Sequence, residues 1–141
     1  MAQSTFAHLK ESYDNKPVLK HFGMEVMSAD EGQAKMRLPF SERIVNLAGT
    51  ADGGVLAVLV DSACSVAFEF GLDVTDVAIT VDLRIDYIAP LTAGNSALAD
   101  ARVLNRGRTI GRSECTITEE ASGKLLSRGT TVFVVRPRQR W

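Results

Sequence analysis

Histidine is scarce in this sequence: His8 and His21 are the only two, and both fall within the first 21 residues. A serine or cysteine triad needs a histidine beside its nucleophile, and no Gly-x-Ser-x-Gly motif occurs. Cys64 and Cys115 form no Cys-x-x-Cys pair and sit among apolar neighbours, which suits small core residues. Two histidines and two distant cysteines offer no ligand spacing for zinc, so no metal site is expected. Neither a Gly-x-Gly-x-x-Gly nor a Walker loop is present, and no cofactor is expected. The longest unbroken run of small or apolar residues, Gly53 to Val60, is far below the roughly 18 needed for a membrane span. The polar opening MAQSTFAHLKESYDNK lacks the apolar core of a signal peptide, so a cytoplasmic protein without membrane attachment is expected. With 16 basic and 17 acidic residues, charge gives no reason to expect nucleic acid.

What remains is an ordinary globular composition, 45% hydrophobic and 23% charged over 141 residues, enough for one domain spanning 1–141. The charge is unevenly spread. Residues 1–83 carry 6 basic and 12 acidic side chains, whereas residues 84–141 carry 10 and 5. A basic half can mark an anionic ligand, or the two surfaces can complement each other within the fold or an oligomer.

Phe6, Leu9 and Tyr13 predict a short amphipathic helix over Ser4 to Asn15. Gly23 to Met27 and Gln33 to Phe40 read as strands, and 41–51 as a loop. Asp52 to Phe70 is apolar around nearly the whole helical wheel, which predicts a helix buried on most sides, capped by Asp52 and stopped at Gly71. Ile79, Val81, Leu83, Ile85 and Tyr87 alternate strictly with polar residues, the mark of a half-buried strand. Ser96 to Leu104, Thr109 to Thr118 and Lys124 to Val135 complete a predicted four-strand meander. The expected fold is α+β, an antiparallel sheet wrapped around one central apolar helix.

Asp61 stands in the middle of that helix, and no lysine or arginine occurs between Ile44 and Leu83 to neutralise it. A carboxylate there is costly. It either faces a wet groove, bonds Ser65 one turn on, or serves as a general base or nucleophile facing a pocket. Gly53-Gly54 in the first turn indicate either tight packing or a helix N-terminus left open to stabilise an oxyanion. Eight residues separate Gly53 from Asp61, about 12 Å along the axis, so one helix cannot offer both to the same carbonyl. Two antiparallel copies of the helix can, so an enzyme using both features is expected to be a homodimer with shared sites.

The block from Asn46 to Asp61 (NLAGTADGGVLAVLVD) resembles the signature of the hotdog-fold acyl-CoA thioesterases, in the phenylacetyl-CoA thioesterase branch. So do His21-Phe22-Gly23-Met24, Arg37 to Phe40, Thr80 to Tyr87, Gly107-Arg108-Thr109 and Ser122-Gly123-Lys124, in their joint order. The resemblance implies a hotdog fold, an acyl-CoA substrate, and a dimer or dimer of dimers. It also implies roles. Asp61 is the catalytic carboxylate, Gly53 the residue whose N–H polarises the thioester carbonyl, Asn46 the loop asparagine positioning thioester or water, and Thr80 the hydroxyl near that water. Asp52 and Gly54 flank the oxyanion position as substrate-binding candidates. Where many relatives have His-Gly-Gly, this chain has Asp52-Gly53-Gly54. A second anion there opposes charge build-up unless its side chain turns back to cap the helix.

An arginine-rich rim suits the phosphates of coenzyme A. Arg106 and Arg108 in the turn are the candidates, with Arg136, Arg138 and Arg140 of the tail expected to be solvated. Phe68, Phe70 and Tyr87 are candidates for the acyl lining. The competing reading is a non-catalytic hotdog dimer that binds acyl-CoA or a related ligand. A purely structural interaction domain leaves the isolated Asp61 unexplained.

Overall fold

The computed structural model describes residues 2–138. Helix α1 (Phe6–Asp14) starts where the Thr5 hydroxyl accepts from the His8 N–H, and it buries Leu9. The sequence reading missed α2 (Pro17–Phe22), although its signals are local. Pro17 opens the helix, and Gly23 closes it at φ 74°, with its N–H reaching Leu19 and Lys20 carbonyls. Strands β1 (Glu25–Asp30) and β2 (Gln33–Pro39) follow. The expected loop at 41–51 contains a 3-10 turn, Glu42–Ile44, and a bridge between Val45 and Ala51.

Helix α3 (Gly53–Glu69) is the expected buried helix, and it touches all six strands. Two sheet glycines let it settle this close. A Cβ at Gly111 would overlap the Phe68 ring, and one at Gly129 would overlap Val60. Phe68 stacks on Phe133 with ring centroids 5.1 Å apart and is fully buried, so it belongs to the core rather than to an acyl lining. Cys64 and Cys115 are buried free thiols, as expected of core residues.

The remaining strands are β3 (Asp76–Tyr87), β4 (Ser96–Arg106), β5 (Ile110–Glu119) and β6 (Leu125–Pro137). All pairs are antiparallel, in the order β1-β2-β4-β5-β6-β3. A sheet of this order curled around one long helix is the hotdog fold. The expected meander needs correction: β3 pairs with β6 and not with β4. The reason lies in the link at 88–95, which is too long for a tight hairpin. It runs over the end of the sheet, buries Leu91, and bonds Leu126 and Ala51 on its way back. Strand β3 is thereby left at the sheet edge, with one side open.

Candidate active site

The N-terminus of α3 is built from its own cap. The Asp52 side chain turns back, and its Oδ1 accepts the Gly54 N–H at 2.8 Å. Gly54 therefore offers no free donor. The Gly53 N–H bonds no acceptor among the described residues, which leaves one donor at the positive end of the helix. The Gly53 carbonyl accepts the Tyr87 hydroxyl at 2.5 Å. A Cβ at Gly53 would come within 3.2 Å of the Tyr87 ring, so glycine is what admits the aromatic side chain here.

Asn46 lies just before this turn and is spent on its own loop. Its Oδ1 accepts from the Ala48 N–H at 2.9 Å and the Thr50 N–H at 3.1 Å, and its Nδ2 donates to the Thr50 hydroxyl at 3.0 Å. The effect is to fold 46–50 over the helix entry. Asn46, Val45, Leu47, Ala48 and Asp52 together line an open hollow beside the N-terminus.

Asp61 stands half-buried two turns further along α3. Its Oδ1 accepts the Thr80 hydroxyl at 2.6 Å, and no other donor among the described residues bonds the carboxylate. The Ser65 hydroxyl donates to the Asp61 main-chain carbonyl at 2.8 Å, so of the alternatives above, the Ser65 bond reaches the backbone and not the carboxylate. Asp61 carries no ion pair among the described residues.

Thr80 reaches Asp61 because β3 is not the regular strand its alternation suggests. The register against β6 shifts between Thr80 and Asp82, leaving Val81 as an extra residue. Before this bulge Ala78 and Thr80 point at α3; after it Ile85 and Tyr87 do. A strict period of two would have turned Thr80 away.

Along α3 the burial is uneven in an informative way. Gly53, Gly54, Ala57, Val58 and Asp61 are exposed or half-exposed, while almost every other residue is buried. These positions follow i, i+4, i+8, so they form one open stripe running from the free N–H to the carboxylate.

The arginine candidates lie elsewhere in the same chain. Arg106 sits over the Phe68 ring, 4.9 Å from its centroid, and donates to the Phe70 carbonyl at 3.4 Å. Partial burial lowers its pKa. Phe70 is at the C-terminal end of α3, about 25 Å from Gly53. Arg108 is exposed in the β4–β5 turn. Arg136 and Arg138 are exposed, and Arg140 lies outside the described residues.

Sequence reasoning passed over Glu69. It is 4% exposed, its Oε1 accepts the Ala78 N–H at 2.9 Å, and its Oε2 accepts the Tyr13 hydroxyl at 3.1 Å. Burial raises its pKa, with the two hydrogen bonds acting in the opposite direction. Burial and the Glu69 charge push the Tyr13 hydroxyl well above the ordinary tyrosine value. The same absence of nearby lysine and arginine that marks Asp61 could have flagged Glu69.

The sequence profile of the thioesterase superfamily matches residues 48–126, which span the Asn46 loop's end, α3 and the strands to β6. The chain belongs to the thioesterase superfamily. It is 31% identical to human acyl-coenzyme A thioesterase 13 over 107 residues, covering 74% of each chain. It is 27% identical to the acyl-coenzyme A thioesterase PaaI of Escherichia coli over 121 residues, covering 85% of this chain and 84% of that one. Among solved structures, zebrafish thioesterase superfamily member 2 superposes with a TM-score of 0.83 at 28% identity, over 94% of this chain and 99% of that one. Within this superfamily member, Asp61, Thr80 and the Gly53 N–H all border the open side of α3, where its burial is weakest. Among the described residues, no helix is long and apolar enough to cross a membrane.

Proposed function

We propose that this thioesterase-superfamily chain hydrolyses acyl-CoA to a free carboxylic acid and coenzyme A, at a site shared between two copies. The observation that carries the reading is the Asp61 carboxylate. One oxygen is fixed by Thr80 and the other has no partner among the described residues, on a largely apolar helix.

Length and the open stripe support the shared site. Gly53 and Asp61 are about 12 Å apart along α3. Ala57 lies midway between them. Two α3 helices crossing antiparallel at Ala57 bring Gly53 of each copy opposite Asp61 of the other. The free edge of β3, with Ile79 and Val81 exposed, offers a second surface on the same side of the fold.

In that arrangement the Gly53 N–H donates to the thioester oxygen, and the helix N-terminus stabilises the negative charge that develops there. Asp61 either takes a proton from water as the water attacks the carbonyl carbon, or attacks that carbon itself. In the first route the C–S bond then breaks, and the thiolate leaves with the proton returned by Asp61. In the second the C–S bond breaks as the thiolate leaves an Asp61–acyl anhydride, which water then hydrolyses to the free acid and the restored carboxylate. Asn46 shapes the loop that borders the thioester, and Asp52 spends its charge on the helix cap. Phe70, whose carbonyl Arg106 bonds, lies nine residues beyond Asp61 along α3, about 14 Å, a span that an extended pantetheine arm bridges toward the phosphates. Arg108 extends the same rim.

Thiol release over a panel of aryl, short-chain and long-chain acyl-CoAs tests the reading. Asp61→Asn is expected to keep fold and dimer and to lower kcat by roughly 10²–10⁴. Near wild-type turnover in that variant removes Asp61 from the mechanism. Binding without turnover of any acyl-CoA by the wild type establishes the non-catalytic dimer instead.

A further inference from the structure

Asp61, Ser65 and Glu69 recur every fourth residue, so α3 presents one polar stripe toward the start of β3. Its two carboxylates hold two neighbouring points of that strand. Asp61 Oδ1 accepts the Thr80 hydroxyl at 2.6 Å, and Glu69 Oε1 accepts the Ala78 N–H at 2.9 Å. An edge strand's outward N–H ordinarily pairs with another strand or with water. Here a buried acid takes it, and the Tyr13 hydroxyl of α1 holds the other oxygen of that acid.

A buried carboxylate is an expensive way to fill space. Glu69 does something an apolar side chain cannot. It fixes the main chain two residues before Thr80, on the near side of the bulge that turns Thr80 toward α3. We propose that Glu69 is a positioning residue for Asp61, acting through Ala78 and Thr80 and braced by Tyr13. It touches no substrate. By anchoring β3 at Ala78 it holds the Thr80 hydroxyl on Oδ1, so that the other oxygen of Asp61 faces the open stripe. The inference rests on Asp61 carrying the hydrolysis.

The test is a double-mutant cycle read by steady-state thiol release, using whichever acyl-CoA the wild type turns over fastest. Glu69→Met is expected to lower kcat by roughly 10–100-fold, the range for outer residues that orient a reactive group, with KM within about twofold of the wild type. Glu69→Gln keeps an acceptor for Ala78 and recovers kcat to within about threefold of wild type. Thr80→Val combined with Glu69→Met costs no more than Thr80→Val alone, because both lesions act on one bond. Where Glu69→Met does not fold, Tyr13→Phe takes its place in the cycle, with a smaller loss and the same non-additivity. Additive losses, or a fall in kcat that Gln does not recover, overturn the proposal. Asp61→Asn is measured alongside. If it retains turnover, the underlying reading fails; if it is inactive while Glu69→Met and Tyr13→Phe keep wild-type kcat, only the positioning role fails.

Discussion

Thr80 and Tyr87 lie seven residues apart on β3, yet both reach α3, Thr80 at Asp61 and Tyr87 at Gly53. An odd spacing on a regular strand sends two side chains to opposite faces. The extra residue at Val81 restores them to one face, so a single edge strand supports both chemical ends of the open stripe.

The first prediction concerns the bond this bulge makes possible. Thr80→Val keeps the shape of the side chain and removes the hydroxyl. A hydrogen bond to a charged group is worth about 1.5–3 kcal/mol, so kcat should fall by roughly 10–100-fold while the dimer persists. Steady-state kinetics with size-exclusion chromatography checks both halves. Turnover equal to wild type would mean that Asp61 needs no help from Thr80.

Asp52 tests the helix entry. Its carboxylate caps Gly54, and an asparagine can accept the same N–H. Asp52→Asn should leave thermal stability nearly unchanged, whereas Asp52→Ala should cost about 1 kcal/mol. Because the carboxylate is turned back onto the cap, Asp52→Asn should also leave kcat/KM close to wild type. Asn as damaging as Ala, in both stability and rate, would contradict both statements.

Glu69 carries a pH signature. Burial raises its pKa above the ordinary carboxylate value, so ionisation costs more in the folded chain than in the unfolded one. The stability contributed by the protonated acid is complete below the unfolded pKa and is lost as pH rises through the raised folded value. Glu69→Gln avoids that loss. The variant should melt above wild type at pH 7, and the gap should shrink on acidification below the usual carboxylate range. A gap that widens toward acid pH would mean that the ionised form is the favoured one.

Much of this was legible in the sequence. The central helix announced itself because its residues are apolar around the wheel and bounded by Asp52 and Gly71. Asp61 stood out because nothing cationic lies near it in the chain. The strand order did not show, because the link at 88–95 hides whether β3 turns back beside β4 or crosses to β6. Nor did the bulge: the alternation from Ile79 to Tyr87 runs straight through Val81, with no glycine to mark the break. Glu69 escaped notice because a polar residue at the last turn of a helix is ordinary. The lack of a nearby cation hinted at it, but its burial shows only when Tyr13, far back in the chain, and Ala78 at the start of β3 close on it.

The shared site is tested most directly by complementation between two inactive subunits. One carries Asp61→Asn. The other carries Gly53→Val, which places side-chain atoms against the Tyr87 ring and blocks the approach to the Gly53 N–H. Each homodimer should be inactive toward acyl-CoA. In the verified heterodimer, sites that join Gly53 of one copy to Asp61 of the other put both lesions in one site and leave the second intact. About half of the wild-type activity per dimer should then return. If each site lay within a single subunit, every site would keep one lesion and mixing would restore nothing, and that result would contradict the account.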